Sequence, residues 1–292
     1  MTGTVSRAAV LGSPIAHSLS PILHRAAYAE LGLRDWRYDA IECDEDGLAG
    51  LLGTMGPEWA GLSLTMPLKR AVLPLLDTVS DLAVAVGGAN TVVFGDGGAR
   101  HGENTDVYGI VAALTEAGVS APRGATILGG GATAASAIAA LHELGLGEPG
   151  LGEVTLVVRD PARAGDTLRV AERLGVAVAA VPFDRGFGRG SAGRIETGEL
   201  VISTLPSGAA DHLAGEVAAA LPDKGALFDV VYSPWPTPLA AAVRDRGLTV
   251  IGGFAMLLHQ AVRQVELMTG RSEAPVEAMR AAGEAEIARR AG

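Results

Sequence analysis

Short apolar runs alternate with longer amphipathic stretches along almost the whole chain of 292 residues. This alternation is typical of parallel strands joined by crossover helices, and it predicts an α/β fold. We predict strands over residues 8–12, 36–42, 61–65, 89–94, 125–128, 154–159, 177–181, 200–203 and 226–230. Helices are expected over 106–117 and over 254–268, where apolar residues recur at helical spacing and Gln260 and Gln264 flank the apolar stripe.

The composition excludes several classes of protein. With 48% hydrophobic and 19% charged residues, the chain can fill a core, which excludes a disordered protein. A net charge of −10 leaves no basic surface for nucleic acid or anionic lipid. No run reaches the roughly 18 apolar residues of a membrane span, and the apolar stretch at 8–11 is too short for a signal peptide. Because Cys43 is the only cysteine, we expect a reducing cytoplasm.

Three residue types are rare in this chain. It contains two Lys (Lys69 and Lys224), two Asn (Asn90 and Asn104) and two Gln, although it has 23 basic residues in total. Where a residue type is this rare, we expect its few members to be chemically required more often than members of an abundant type.

A glycine-rich turn follows the predicted strand at 125–128. Gly129, Gly130 and Gly131 lead into a stretch of small residues that begins with Ala132 and Thr133. Glycines let the backbone approach a pyrophosphate, and the free N–H groups at a helix start favour its negative charge. The alternative interpretation is an ordinary glycine-rich turn between a strand and a helix.

The end of the next predicted strand, Val158-Arg159-Asp160, indicates which dinucleotide would bind. In dinucleotide-binding domains this position meets the adenosine ribose, where an acid selects NAD and a nearby Arg admits the 2′-phosphate of NADP. Arg159 therefore predicts NADP, with NAD as the less favoured cofactor.

Two serines stand two residues apart in the segment Gly12–Pro21, which prolines restrict at both ends. The hydroxyls of Ser18 and Ser20 would suit the binding of a carboxylate or a polyol. The alternative is that Ser20 is the N-cap of a helix that has Pro21 at its first position.

Three further motifs follow predicted strands or begin a predicted helix, where open α/β sheets place their ligands. They are Thr65–Lys69, Gly88–Thr91 and Glu103–Asp106. A Lys and an Asp brought together can shuttle a proton at an alcohol carbon. Taken singly, Lys69 would be a surface charge, Asn90 a turn residue and Asp106 a helix cap; taken together, they favour a function.

Eight blocks of the sequence, in this order, resemble the shikimate dehydrogenase family. They are residues 12–21 with His24, 65–69, 88–91, 104–106, 129–134, 203–206, 229–239 and 252–270. The resemblance implies NADP-linked interconversion of shikimate and 3-dehydroshikimate in aromatic amino acid biosynthesis. It also implies an N-terminal α/β substrate-binding domain over 1–105, completed by C-terminal helices over 253–292, and a Rossmann-like, doubly wound NADP-binding domain over 106–252. A cleft between two such domains would be the expected ligand site.

The resemblance also assigns roles to individual residues. The catalytic pair would be Lys69 and Asp106. The residues that bind the substrate would be Ser18, Ser20, Thr65, Asn90, Tyr232 and Gln260. The residues that bind the cofactor would be Gly129, Gly130, Gly131, Ala132, Thr133, Arg159, Arg163, Thr204 and Gly253. We expect no metal site, no nucleic-acid partner, and a monomer or a homodimer.

The sequence departs from the family pattern at four places. Ser63 stands where the family usually has Asn, which predicts the loss of a supporting hydrogen bond. Val107-Tyr108-Gly109 replaces Gly-x-Gly, Ala132 replaces a Gly, and Asp160 adds a negative charge beside the expected phosphate site.

Two alternatives stay open. One is the same chemistry on quinate or an amino-shikimate. The other is a catalytically silent regulator that binds NADP or shikimate, against which the intact pair Lys69 and Asp106 argues.

Overall fold

The computed structural model describes residues 5–146, 153–188 and 193–291. Within these ranges the strands are β1 Ser6–Gly12, β2 Trp36–Glu42, β3 Trp59–Leu64, β4 Thr78–Val79, β5 Thr91–Phe94, β6 Arg100–Glu103, β7 Ala125–Leu128, β8 Val154–Val158, β9 Val178–Pro182, β10 Leu200–Ser203, β11 Ala226–Asp229 and β12 Thr249–Gly252. The helices are α1 Ser20–Glu30, α2 Glu45–Gly53, α3 Leu68–Ala71, α4 Asp81–Val86, α5 Thr105–Glu116, α6 Ala132–Glu143, α7 Gly165–Leu174, α8 Ala214–Ala220, α9 Pro238–Asp245, α10 Gly253–Thr269 and α11 Val276–Ala291.

The chain divides into two compact units. One comprises Met1–Gly109 with Leu257–Gly292, and the other comprises Ile110–Met256. The domain boundaries predicted from the sequence lie after residues 105 and 252. The division between the two units lies after 109 and 256, within helices α5 and α10. No helix of the described residues is long and apolar enough to cross a membrane.

The first unit is built on a mixed sheet with the strand order β2-β1-β3-β5-β6-β4. β1 lies between β2 and β3 and is parallel to both, whereas β5 runs antiparallel beside β3. β5 and β6 form an antiparallel hairpin whose turn contains Gly97 and Gly98, both with positive φ. Because β1 and β3 are parallel, the loops that follow them, with Ser18 and Thr65, leave the sheet at the same edge.

The second unit is built on a fully parallel sheet with the order β12-β11-β10-β7-β8-β9. The chain fills one side of β7 with β8 and β9 and then the other side with β10, β11 and β12, which is the doubly wound arrangement. All residues of β7, β10 and β11 are buried, as their continuous apolar character predicts for strands covered on both faces. Ligands of such sheets bind beyond the carboxyl ends of the strands where the order reverses, here β7 and β10.

Candidate functional site

Lys69 and Asp106 are brought together in the first unit. Lys69 lies on the short helix α3, which follows β3, and Asp106 is the second residue of α5. The Lys69 Nζ donates to Asp106 Oδ2 at 2.5 Å, and the two side chains are only 16% and 6% exposed. In this partly desolvated position the ion pair is screened far less than a surface pair would be. The structure therefore brings Lys69 and Asp106 into direct contact.

Asn90 completes this group. Its Nδ2 donates to Asp106 Oδ1 at 2.9 Å, while its Oδ1 accepts from the backbone N–H of Thr105 at 2.7 Å. Because a backbone N–H can only donate, the orientation of the Asn90 carboxamide is fixed. Gln260 on α10 places its Oε1 3.5 Å from Asn90 Nδ2. The structure thus gathers Lys69, Asn90, Asp106 and Gln260 in one place.

All four carboxamide side chains of the chain are buried in the first unit. Asn90 and Gln264 are 1% exposed, Asn104 is 4% exposed and Gln260 is 7% exposed. Asn104 accepts from the backbone N–H groups of Asp106 and Val107 and donates to Gly88 O at 2.8 Å, so it holds the start of α5. The rarity of Asn and Gln in the sequence was therefore an informative signal for this site.

The loop with Ser18 and Ser20 follows β1. The Ser18 Oγ accepts from the backbone N–H of Ser20 at 3.2 Å. The expectation that Ser20 caps α1 is wrong: Leu19 is the N-cap residue in helical conformation, no side chain caps the helix, and Ser20 is its first residue. Ser20 is buried, and its hydroxyl does not cap the helix.

Thr65 lies close to the end of β1. Its backbone N–H donates to Leu11 O at 2.9 Å. A Cβ added at Gly12 would lie 2.3 Å from Thr65 Cγ2, so only glycine allows this approach. Glu42 on β2 holds the loop that follows β1: its carboxylate accepts from Ser13 Oγ at 2.6 Å and from the backbone N–H of Ile15 at 3.0 Å.

Ser63, which stands where the family usually has Asn, makes two buried side-chain hydrogen bonds. The Ser63 Oγ accepts from the Tyr38 hydroxyl at 2.6 Å and donates to Gln264 Oε1 at 2.7 Å. The sequence pattern indicates Gln264 only as a residue beside an apolar stripe, and it does not single out Tyr38. Gln264 follows Gln260 by one helical turn, and that spacing of two rare residues is the signal that could have identified it.

In the second unit, the glycine-rich turn follows β7 as predicted. Gly129 has φ +105°, and a Cβ there would lie 2.6 Å from Thr204 Oγ1. A Cβ on Gly131 would meet nothing within 4 Å, and this residue is the N-cap of α6, with no side chain bonded to the helix start. Ala132 and Thr133 form the first turn of that helix. An open backbone at the start of a 12-residue helix fits the binding of a pyrophosphate.

Beside this turn lies a cavity of about 200 Å³, and Gly129, Gly130, Arg159, Asp160 and Arg163 are among its lining residues. The Asp160 Oδ1 accepts from the backbone N–H of Ala162 at 3.0 Å, so this carboxylate caps a short 3₁₀ turn over Pro161–Arg163. Two arginines among the lining residues fit a phosphorylated ribose, because arginine binds phosphate through several donors at once. The donor set therefore fits NADP.

Thr204, Tyr232 and Gly253 also belong to the second unit. Thr204 Oγ1 donates to Leu128 O at 2.9 Å, which ties the end of β10 to the end of β7. Tyr232 lies in the loop between β11 and α9. Gly253 donates to Val231 O at 3.2 Å, and a Cβ there would lie 1.9 Å from Val230 O. Gly253 is thus required by the close approach of two backbone segments.

Asp229 at the end of β11 supports that loop. Its carboxylate accepts from Thr237 Oγ1 at 2.7 Å and from the backbone N–H of Val231 at 3.2 Å. Burial raises the pKa of Asp229 above its ordinary value, and the Thr237 hydrogen bond opposes that rise.

Among the described residues, no group of three or more His, Cys, Asp or Glu side chains could hold a metal ion.

Comparison with known proteins identifies the family. Residues 10–92 match the family model described as the shikimate dehydrogenase substrate binding domain, and residues 253–282 match the shikimate 5'-dehydrogenase C-terminal domain. A shikimate dehydrogenase (NADP(+)) of Thermus thermophilus is 36% identical over 98% of both chains.

Solved structures agree with this assignment. Shikimate dehydrogenase of Mycobacterium tuberculosis superposes with a TM-score of 0.82 at 43% identity, covering 96% of this chain and 99% of that one. A Thermus thermophilus enzyme in complex with NADP(H) and shikimate gives 0.79 at 33% identity, with the same coverage. A quinate dehydrogenase of Corynebacterium glutamicum in complex with NAD gives 0.82 at 30% identity, also with the same coverage. The chain therefore belongs to the shikimate dehydrogenase family.

Proposed function

We propose that this chain is an NADP-dependent shikimate dehydrogenase, which reduces 3-dehydroshikimate to shikimate reversibly in aromatic amino acid biosynthesis. The observation that carries the proposal is the shielded Lys69–Asp106 ion pair, held by Asn90. The family membership and the curated relatives named shikimate dehydrogenase (NADP(+)) support the same activity. The single buried cysteine supports a cytoplasmic location.

Lys69 and Asp106 have separate roles in the proposed reaction. When bound, NADP supplies the hydride acceptor for the carbon that bears the reacting hydroxyl, and NADPH the hydride donor in reverse. In the direction of reduction, the ammonium group of Lys69 donates a proton to the carbonyl oxygen and becomes a neutral amine; in the direction of oxidation, that neutral amine takes the proton of the hydroxyl. Asp106 orients the hydroxyl and holds Lys69 in place through Oδ2. Asn90 holds the other oxygen of Asp106, so the carboxylate cannot rotate away from Lys69.

The remaining polar side chains bind the substrate in this proposal. Ser18 and Ser20 hold the carboxylate, with Tyr232 close to that end. Thr65, Asn90 and Gln260 contact the ring hydroxyls together with the catalytic pair. Gly129, Gly130, Gly131, Ala132 and Thr133 would hold the pyrophosphate of NADP, and Arg159 and Arg163 its adenosine end. Thr204 and Gly253 complete the cofactor-binding set.

Replacing the substrate-binding groups should weaken substrate binding more than the chemical step. We expect Ser18→Ala or Gln260→Ala to raise the KM for shikimate, since these groups contact the ground state and the transition state alike. For Ser18→Ala, loss of a hydrogen bond to the charged carboxylate corresponds to about tenfold or more in affinity. Steady-state kinetics with varied shikimate measure the effect.

The control for this prediction is Ser272→Ala, which removes an exposed serine hydroxyl between α10 and α11 and should leave the KM unchanged. Calorimetry decides the outcome: if the Ser18→Ala/Gln260→Ala double variant binds shikimate as tightly as the parent, both assignments fail.

Cofactor choice is the second prediction made by this proposal. The two positive charges of Arg159 and Arg163 exceed the single negative charge of Asp160. The Asp160 carboxylate already accepts a hydrogen bond from a backbone N–H. We therefore expect kcat/KM to be higher with NADP than with NAD. Arg159→Ala should reduce this ratio by about tenfold or more, the effect of losing a charge-assisted hydrogen bond. Asp160→Thr should increase the ratio, because it removes the opposing charge.

Arg123→Ala is the matched control, since Arg123 is exposed in the same unit and pairs with Glu199. The ratio of the two kcat/KM values should not change in that variant. A parent enzyme with a higher kcat/KM for NAD than for NADP would show that Arg159 does not select the 2′-phosphate.

Quinate or an amino-shikimate is the second candidate substrate, favoured by the structural likeness to a quinate dehydrogenase. Quinate carries an additional hydroxyl on the carbon that bears the carboxylate, so it tests the part of the site near Ser18 and Ser20. A panel of shikimate, quinate and an amino-shikimate separates the substrates by kcat/KM. Absence of turnover with all three, together with binding of NADP or shikimate, would instead support a silent regulator.

A further inference from the structure

A buried carboxamide bridges two strands beneath the proposed catalytic group. Ser63 on β3 and Thr91 on β5 lie directly opposite each other in the antiparallel ladder. Gln264 on α10 reaches both of them: its Oε1 accepts from Ser63 Oγ at 2.7 Å, and its Nε2 donates to Thr91 Oγ1 at 2.9 Å. The three side chains are at most 4% exposed, and Ser63 and Gln264 are 201 residues apart in sequence.

The orientation of the Gln264 carboxamide is determined by its partners. Its Nε2 also faces the backbone oxygen of Asn90 at 3.3 Å, and a carbonyl oxygen can only accept. On the other side, Oε1 lies 3.3 Å from His24 Nε2. Burial lowers the pKa of His24 to about 3, so this imidazole is neutral, and the tautomer that donates from Nε2 leaves Nδ1 without a partner, as observed. Gln264 therefore uses both N–H groups and both lone pairs of its oxygen.

From Gln264, a chain of hydrogen bonds leads through Thr91 and Asn90 to Asp106, and the donors all point toward Asp106. Because the Thr91 hydroxyl accepts from Gln264, its own proton is available to Asn90 Oδ1, which lies 2.9 Å away. Asn90 then presents Nδ2 to Asp106 Oδ1 at 2.9 Å. At the far end, the Tyr38 phenol, whose pKa burial raises, donates to Ser63 Oγ at 2.6 Å. Each group donates to the next, from Tyr38 to Asp106.

We propose that Gln264 is a positioning residue for the reaction, acting through Thr91 and Asn90 to hold Asp106 against Lys69. The inference rests on the proposed function, since it assigns no contact with substrate to Gln264. At Ser63, which stands where the family pattern usually has Asn, the Gln264 carboxamide from α10 is a hydrogen-bond partner. One buried network of hydrogen bonds then runs from Tyr38 on β2 to Asp106 on α5.

Gln264→Leu tests the proposal, because leucine has a similar size but no hydrogen-bonding groups. We expect kcat with shikimate and NADP to fall about tenfold or more, since the groups of the network are left with unsatisfied partners. The KM for NADP should not change, because the residues assigned to NADP lie in the other unit. Thr91→Val should lower kcat in the same way, whereas Thr91→Ser keeps the hydroxyl and should stay within about threefold of the parent.

Whether the effects of Gln264→Leu and Thr91→Val on kcat add up distinguishes a positioning role from a general loss of stability. The Gln264→Leu/Thr91→Val double variant should lose little more kcat than the worse single variant, because both cut the same chain of bonds. Thr126→Val is the control: this threonine is as buried as Thr91 and accepts from the Gly198 backbone N–H in the other unit, so its replacement should lower the Tm and leave kcat unchanged. If Gln264→Leu does not fold, the comparison of Thr91→Val with Thr91→Ser decides alone.

Two results would overturn the inference. One is a folded Gln264→Leu enzyme with the kcat of the parent, and the other is equal loss of kcat in Thr91→Val and Thr91→Ser. A parent enzyme that forms no NADPH from shikimate would instead refute the proposed function, so the two failures are distinguishable.

Discussion

Lys69→Ala should lower kcat for shikimate oxidation by at least about 100-fold, the lower limit for loss of a general acid–base group. Lys69 Nζ lies 2.5 Å from Asp106 Oδ2, and its side chain is 16% exposed, so water cannot easily replace it as the proton acceptor. The KM for shikimate should change little, since the carboxylate and most of the ring hydroxyls keep their partners. Initial rates of NADPH formation with varied shikimate measure both constants.

The chain provides a matched control, because it contains only one other lysine. Lys224 is exposed on the second unit, between α8 and β11. Lys224→Ala removes the same charge and should keep the parent kcat. Activity of Lys69→Ala within a few-fold of the parent would remove Lys69 from the catalytic role.

Asp106→Asn should lower kcat by about 100-fold or more for a different reason. Asparagine keeps the size of the side chain but not its charge, and it leaves the shielded ammonium group of Lys69 without its counter-ion. An amide also cannot accept through both terminal atoms, so either Lys69 or Asn90 loses a hydrogen-bond acceptor. The rate of NADPH formation at saturating shikimate and NADP gives the effect.

The control for Asp106→Asn is Asp96→Asn, which neutralises an exposed carboxylate in the turn between β5 and β6 of the same unit. It should have the kcat of the parent. An Asp106→Asn enzyme that folds, shows an unchanged Tm and keeps more than about a tenth of the parent kcat would contradict the assignment of Asp106.

The alternation of apolar runs was sufficient to predict most of the strands. β2 over Trp36–Glu42, β7 over Ala125–Leu128 and β10 over Leu200–Ser203 have the predicted bounds, because strands of this kind are continuous or alternating apolar segments between turns. The same pattern gave no helix at α2, Glu45–Gly53, which contains three glycines and is helical because Asp44 caps it and Leu48 and Leu52 are buried. Tertiary burial there overrides a poor local propensity.

The predicted grouping of site residues depended on residue chemistry and order. Lys69 follows β3, Asn90 directly precedes β5 and Asp106 begins α5, and the three side chains do meet. The capping role expected for Ser20 failed because Leu19 already has helical backbone angles, so the turn begins one residue earlier. The network of Gln264 was not accessible from sequence, since it depends on contacts between side chains of β2, β3, β5 and α10 that lie far apart in the chain.

The most direct test of the central claim is formation of NADPH by the purified chain in the presence of shikimate and NADP. The proposed function predicts steady production of NADPH with shikimate, slower production with NAD in place of NADP, and loss of nearly all activity in Lys69→Ala. If the folded parent binds NADP but forms no NADPH from shikimate, while Lys69→Ala behaves identically, the chain is not a shikimate dehydrogenase.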